Sequence, residues 1–306
     1  MKVLVTGAAG FLGRYIVNEF AIPGATVLGV DIVSPEIAPR GEGIAYQRMS
    51  LPGSEFDRVL ADFMPDVFVH CAGRASVALS MEDPVSDFAD SVVLTFQMLD
   101  SVRRLSPEAR FVFLSSAAVY GNPPSLPVVE SHPIAPLSPY GYHKHQCEVL
   151  IEEFARVFGL RTLAVRIFSA YGFGLRRQVV WDICERALRD GSLQLRGTGT
   201  ESRDFIHGRD VARAIVLLAE NAPAGGEVYN VATGRETTIA EVAESLLACL
   251  GLNVKAEFDG VRPPGDPANW RADIGRLQAF GFEPSIALED GLAEVAQWCV
   301  STRLSR

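Results

Sequence analysis

Tyr140 and Lys144 lie four positions apart in the run SPYGYHK, Ser138 to Lys144. On a helix such residues share a face. A lysine ammonium beside a phenol favours the phenolate, which can take a proton from a hydroxyl. Tyr142 competes for the role, but no lysine stands four residues after it. A partner that holds the reacting oxygen is offered by SSAAVYG, Ser115 to Gly121, where Ser115 and Ser116 end an apolar run. Ligands of parallel sheets bind at such strand ends. This set can oxidise a carbinol carbon or reduce a ketone, provided something accepts and returns hydride.

The hydride carrier is implied by Thr6 to Gly13, TGAAGFLG, which follows an apolar strand and opens a helical pattern. Gly7 lets the chain turn off the strand. Gly10 keeps the backbone bare where a pyrophosphate must approach, and Gly13 lets the helix pack close to the sheet. The helix N-terminus presents free N–H groups and the positive end of its dipole. Asp31 ends the next strand about twenty residues on, where a carboxylate binds ribose hydroxyls and repels a 2′-phosphate. That favours NAD over NADP. Arg40 and Arg48 stand nearby and leave NADP open.

The elements that position these residues alternate. Strands are expected at Lys2 to Thr6, Ala25 to Val30, Ile44 to Arg48, Asp66 to His70, Arg110 to Ser115, Thr162 to Phe168 and Glu227 to Val231. Helices are expected at Phe11 to Phe20, Ser54 to Phe63, Pro84 to about Leu105, Ser138 to Phe158, Val179 to Arg189 and Val211 to Glu220. Such alternation predicts a doubly wound parallel sheet of the Rossmann type with helices on both faces. Residues 1–170 form its main part, with segments near 205–232 returning to it. Residues 171–306 mainly form a smaller, interleaved substrate-binding lobe.

The spacing TGxxGxxG resembles the short-chain dehydrogenase/reductase superfamily, and the resemblance continues along nearly the whole chain. HCAG (His70 to Gly73), SSAAVYG, SPYGYHK, RIFSAYG (Arg166 to Gly172), SRDFIH (Ser202 to His207), EVYNVATG (Glu227 to Gly234) and RPPGD (Arg262 to Asp266) follow in order. Together they resemble the extended branch, the NAD-dependent epimerase/dehydratase family that modifies nucleotide sugars. The resemblance implies Ser116, Tyr140 and Lys144 as the catalytic set. Val119-Tyr120-Gly121 selects Ser116, with Ser115 near the nicotinamide and Lys144 also on its ribose. It implies cofactor contacts from Gly7, Gly10, Phe11, Leu12, Gly13, Asp31, Ile32, Ser50, Leu51, Cys71, Ala72, Gly73, Ser115, Tyr140 and Lys144. Cys71 contributes backbone. His70 supports the strand end, and His143 and His145 point away from the site. Phe168 and Ser169 contact the sugar, and Arg203 and Arg262 pair with the diphosphate, as guanidinium groups do. A homodimer through the two long helices is also implied.

The positions after Ser116 bear on the reaction. The 4,6-dehydratase branch carries an acidic pair there and the sugar-acid decarboxylases a glutamate; this chain has Ala117-Ala118, which donate and accept nothing. Hydride transfer with one acid/base remains. Two reactions fit: 4-epimerisation through a transient ketone on a retained NAD, and NAD(P)H-dependent reduction of a 4-keto sugar. Asp31 favours the first. A dinucleotide-sensing protein without chemistry is disfavoured, because the tyrosine and lysine are both kept. Ser91, Leu94 and Ser169 depart from the usual Asn, Gly and Asn, and the arginine-rich stretch from Gly172 to Asp182 lacks the usual proline. These departures point to a modified sugar or a different base.

The bulk composition agrees. With 306 residues, 48% hydrophobic, the chain can bury a large core. A net charge of -9 without basic clusters disfavours nucleic acid and anionic membranes as partners. The five cysteines contain no CxxC pair, which disfavours a disulfide framework or a metal site and fits a reducing cytoplasm. No signal peptide is read at the N-terminus. No run reaches the roughly 20 apolar residues a membrane helix needs.

Overall fold

The structure is a computed structural model that describes residues 1–261, 265 and 267–304. Its centre is a sheet of seven parallel strands: β1 (Lys2–Thr6), β2 (Thr26–Asp31), β3 (Ile44–Arg48), β4 (Val67–His70), β5 (Arg110–Ser116), β6 (Arg161–Ile167) and β7 (Gly225–Val231). Their spatial order is β7-β6-β5-β4-β1-β2-β3. The chain winds one way from β1 to β3, then returns to the other side of β1 and winds the opposite way. The switch point lies between β1 and β4, where open sheets of this kind bind ligands at the carboxyl ends of their strands.

Alternation along the strands fills both faces. Val3 and Val5 of β1 pack with Ile16 and Val17 of helix α1 (Phe11–Phe20) and with Val211 and Ile215. Leu4 points the other way, to Phe68, Phe111, Met98 and Ile151. The second face is covered by α2 (Ser54–Phe63), α3 (Leu94–Leu105) and α4 (Pro139–Phe158). The stripe Lys144, Cys147, Glu148, Ile151 and Phe154 turns the buried side of α4 to the sheet. Ser138 caps its start and Gly159, in the left-handed region, ends it.

A third core joins α5 (Gln178–Asp190), α7 (Ile239–Cys249) and α8 (Leu288–Leu304). Helix α6 (Gly208–Asn221) lies between α5 and α7 in the chain and packs instead against α1 on the sheet.

The expected single helix from Pro84 to Leu105 is corrected. The structure has a short helix at Pro84–Phe88, a π turn at Ala89–Val93, and then α3. Asp87, Ser91 and Thr95, spaced four apart, are all buried. A regular helix drifts by about 40° every four residues, and the wider π turn takes up that drift. A helix at Val77–Glu82 and a 3-10 turn at Ala117–Tyr120 were not expected from the sequence.

Candidate active site

The loop after β1 is built for close approach. Gly7 has φ +66°, and a Cβ there would stand 2.7 Å from Ala72 N on the β4 loop. A Cβ on Gly13 would stand 2.1 Å from the Gly7 oxygen, so only glycine lets α1 seat on the turn. Gly10 precedes α1 with no side-chain cap, and the first turn holds no acidic residue. The N–H groups of Phe11, Leu12 and Gly13 thus form an uncompensated positive helix end. That cradle fits a dinucleotide pyrophosphate.

Asp31 ties this loop to the end of β2. Its Oδ2 accepts from Ala9 N at 3.0 Å, and its Oδ1 from Ile32 N at 2.7 Å and Val33 N at 3.3 Å. A carboxylate has about four acceptor sites, so room remains for a ribose hydroxyl. Ile32 is exposed, and Met49 N donates to Asp31 O, which brings Ser50 and Leu51 to the same rim. Arg48 donates to Ile32 O and Arg40 to Pro35 O and Glu36 O, so neither guanidinium pairs with Asp31.

The loop after β4 faces the glycine loop. The N–H groups of Cys71 and Ala72 are taken by Thr6 O at 3.1 Å and Thr6 Oγ1 at 3.3 Å. What they can offer a ligand is therefore carbonyl and surface. Burial pushes the Cys71 thiol well above its ordinary value, which keeps it protonated. Gly73 is wedged against Asp90 O, 2.9 Å from where its Cβ would be. His70 is buried, with Nδ1 2.8 Å from Thr6 Oγ1. Burial and then the Lys144 charge push its pKa down to about 3, so it is a neutral support under the site.

Across the switch point, α4 carries Lys144 over the end of β5. The Lys144 ammonium is buried and donates to Leu114 O at 2.9 Å. It stands 4.7 Å from the Phe113 ring centre and 5.8 Å from that of Tyr140. Among the described residues no carboxylate pairs with it, and Leu114 O takes one of its three donors. Tyr140 is half-buried, and its backbone N–H donates to Ser80 Oγ at 3.1 Å. Ser116 Oγ accepts from Ala118 N at 3.1 Å and caps the 3-10 turn. Its own O–H remains to donate. The Ser115 hydroxyl turns the other way, to Glu148 Oε1 at 2.5 Å.

Glu148 opens a buried network that sequence reading missed. Arg166 reaches it through Nε at 2.9 Å and Nη2 at 2.8 Å, and holds the Tyr120 hydroxyl through Nη1 at 2.9 Å. Tyr120 donates onward to Asn230 Oδ1 at 2.7 Å. Burial alone would raise Glu148, but the proximity of His145, 3.6 Å away, and the hydrogen bonds and charge of Arg166 prevail and hold it low. The network locks α4, β5, β6 and β7 together behind the tyrosine and lysine. The available signal was Glu148 one turn after Lys144 on the same stripe. His143 binds buried Asp87 at 2.5 Å and points to the helices, not the cleft.

On the substrate side, Ser116 pairs in register with Ile167, so Phe168 and Ser169 leave β6 beside it. Phe168 packs edge-on to Trp270, with centroids 5.8 Å apart, and Arg203 lies over the same Trp270 at 5.6 Å. Arg203 also donates to Ser202 O and Ala268 O. Arg262 lies outside the described residues. Arg177 was not singled out by sequence, yet it reaches from the start of α5 to Ala75 O on the β4 loop, within electrostatic range of Tyr140. No group of His, Cys, Asp and Glu that could hold a metal occurs among the described residues. No helix there is long and apolar enough to cross a membrane.

A glycine cradle at the switch point, facing a serine, a tyrosine and a desolvated lysine, defines a dinucleotide-dependent enzyme that moves hydride at an oxygen-bearing carbon. A model of the NAD-dependent epimerase/dehydratase family matches residues 3–232. A UDP-glucose 4-epimerase of Mycolicibacterium smegmatis is 30% identical over 315 residues, which cover 97% of this chain and 98% of that protein. The chain belongs to the NAD-dependent epimerase/dehydratase family, and its cofactor is NAD. Two solved structures share the fold over full length. The UDP-glucose 4-epimerase of Thermotoga maritima, solved with UDP-glucose, has a TM-score of 0.89 at 29% identity, covering 99% of this chain and 100% of its own. The UDP-glucuronic acid 4-epimerase of Bacillus cereus, solved with UDP-glucuronic acid and NAD, has 0.89 at 26%, also covering 99% and 100%.

Proposed function

We propose that this protein is a UDP-sugar 4-epimerase in which Ser116, Tyr140 and Lys144 handle the C4 oxygen. The observation that carries the reading is the buried Lys144, paired with no carboxylate among the described residues and held by Leu114 O beside the Tyr140 ring. NAD, bound on the Thr6 to Gly13 loop, supplies the hydride acceptor and donor. Tyr140, beside Lys144, takes the proton of the C4 hydroxyl as the carbon is oxidised. Ser116 donates to the same oxygen. Once the ketone has turned, Tyr140 returns the proton and the alcohol has the opposite configuration. Ala117-Ala118 place no acid or base where elimination needs one. The relatives' names support UDP as the carrier.

In this reading Gly7, Gly10, Phe11, Leu12, Gly13, Asp31, Ile32, Ser50, Leu51, Cys71, Ala72 and Gly73 line the cofactor. The Ser115 side chain serves the framework through Glu148 rather than the ligand. Phe168 and Ser169 flank the sugar, and Arg203 takes the diphosphate. The chain is a cytoplasmic homodimer: exposed Val85, Phe88, Val93 and Phe96 face outward with Tyr142 and Val149 of α4 as an apolar surface suited to a second copy. Purified protein is denatured and its released nucleotide identified, and UDP-sugar epimer ratios are followed by NMR. Stoichiometric NAD with epimer formation is expected. An empty site and a requirement for NADPH would instead identify a 4-keto-sugar reductase.

A further inference from the structure

The start of α4 has one donor that its own sequence does not satisfy. The first N–H groups of a helix find no partner inside it. Pro139 has no N–H, Gly141 N donates to Ser138 Oγ at 3.3 Å, and Tyr142 N donates to Ser138 O at 3.1 Å. The Tyr140 N–H goes instead to Ser80 Oγ, 60 positions away, at 3.1 Å. Ser80 is fully buried, and its own hydroxyl donates to Val77 O at 2.7 Å. That bond spends the hydroxyl proton and leaves a lone pair for Tyr140.

Two contacts thus hold Tyr140 from opposite sides. On the β5 side, α4 seats on the turn that carries Ser116. A Cβ on Gly141 would stand 2.7 Å from Ala118 O, and Ala118 N is held by Ser116 Oγ at 3.1 Å. On the β4 side, Ser80 stands in the helix Val77–Glu82, which Ser76 caps by accepting from Leu79 N at 3.3 Å. The loop before that helix is the one that Thr6 binds at Cys71 and Ala72, opposite the glycine loop. Ser80 therefore connects the backbone of Tyr140 to the loops that frame the cofactor cradle.

Hydride transfer makes a demand on this connection. The reacting carbon must lie between the nicotinamide and the Tyr140 hydroxyl, and a misplacement of about 1 Å can cost about 10²-fold in rate. The Gly141 contact sets α4 against Ser116, but it does not set the helix start against the cofactor loops. We propose that Ser80 is a positioning residue: by holding the Tyr140 N–H it sets the distance between the Tyr140 hydroxyl and the nicotinamide. The inference rests on the epimerase reading for the chemistry, while the bond itself does not depend on that reading.

The test compares Ser80→Ala with Ser76→Ala, which loosens the same helix without touching Tyr140, in the NAD-loaded protein. Epimerisation of UDP-glucose and UDP-glucuronate is followed by NMR, and residue-resolved hydrogen exchange reads the Tyr140 amide. Ser80→Ala should lower kcat per NAD-loaded site by about 10- to 100-fold. KM should stay near wild type, so that kcat and kcat/KM fall together, as they do when transition-state geometry is lost. Its Tyr140 amide should exchange faster, while Ser76→Ala keeps both readouts near wild type. An unchanged kcat in Ser80→Ala overturns the proposal. So does an equal fall in the two variants, because the helix rather than the bond would then matter. A thermal unfolding scan identifies a variant that does not fold, and the wild-type amide then decides alone: an unprotected Tyr140 N–H overturns the proposal. Failure of the epimerase reading shows separately, as wild-type protein that forms no epimer although its Tyr140 amide is protected and Ser80→Ala releases it.

Discussion

Arg166 and Arg177 stand eleven residues apart, one in β6 and one in the loop before α5, and they live in opposite surroundings. Arg166 is buried with a bidentate carboxylate, a tyrosine hydroxyl and the Glu130 carbonyl around its guanidinium. Arg177 has one carbonyl and, among the described residues, no carboxylate. The same division runs through the lysine of the cleft. Lys144 has Leu114 O and aromatic faces, and its charge stays available. Behind the cleft Arg166 and Glu148 pair with each other, while among the described residues Lys144 and Arg177 pair with no carboxylate. Paired charge holds the frame, and unpaired charge marks where an anion or a developing anion belongs.

The largest break in this comparison comes from Tyr140→Phe. It removes one hydroxyl from the cleft and touches nothing in the network behind. Turnover of the cognate UDP-sugar should fall by about 10²- to 10⁴-fold, the usual contribution of a positioned acid/base. The thermal midpoint should stay within a degree or two of wild type, about what a surface change produces. A variant that still turns over normally would remove Tyr140 from the chemistry.

Arg166→Ala is the mirror experiment. It strands Glu148 in the interior with its charge uncompensated, and urea unfolding should show a loss of about 3–5 kcal/mol. The cleft residues are untouched, so kcat at a temperature where the variant is folded should change far less than in Tyr140→Phe. Catalytic loss with stability intact would move Arg166 from the frame to the active site.

Asp31→Ala probes a residue that belongs to both regions, because its carboxylate holds the Ala9, Ile32 and Val33 N–H groups and still faces the rim. Loss of one charged hydrogen-bonding group predicts about tenfold or greater weakening of NAD, with discrimination against NADP reduced. Fluorescence titration of both cofactors into nucleotide-stripped protein reads this directly. Unchanged NAD affinity would leave Asp31 with only its loop-tying role.

The sequence told these regions apart unevenly. The glycine loop, Asp31, Tyr140 and Lys144 were legible because each signal is local: a turn, a strand end, a helical interval of four. All seven strands and their parallel alternation followed from the same short-range pattern. The Glu148–Arg166 pair was not legible, because it forms between α4 and β6 only after the sheet is assembled. Arg177 was visible as one arginine among several, and its meaning depends on Ala75 in a distant loop. The π turn escaped because its cause is the buried run Asp87, Ser91 and Thr95, which sequence periodicity reads as an ordinary helix. Local chemistry is written in spacing, and commitment of charge is written in tertiary contact.

The smallest expected effect concerns pH and the paired region alone. Hydrogen bonds and the Arg166 charge outweigh burial and hold the Glu148 carboxyl below its ordinary value. A carboxyl lowered in the folded state contributes stability that is present above the unfolded value, near 4.3 for Glu. That contribution is lost as pH falls through the folded value. Stability measured by urea unfolding should therefore decline with acid from about pH 4.5 downward. Glu148→Gln should be less stable at neutral pH and show a shallower decline, since the titrating partner is gone while Arg166 stays charged at every pH tested. Arg177, with no described carboxylate beside it, predicts the contrast: Arg177→Gln should leave the acid slope as it is in wild type. If Glu148→Gln kept the wild-type slope, the acid sensitivity would lie elsewhere and the network would be weaker than its geometry implies.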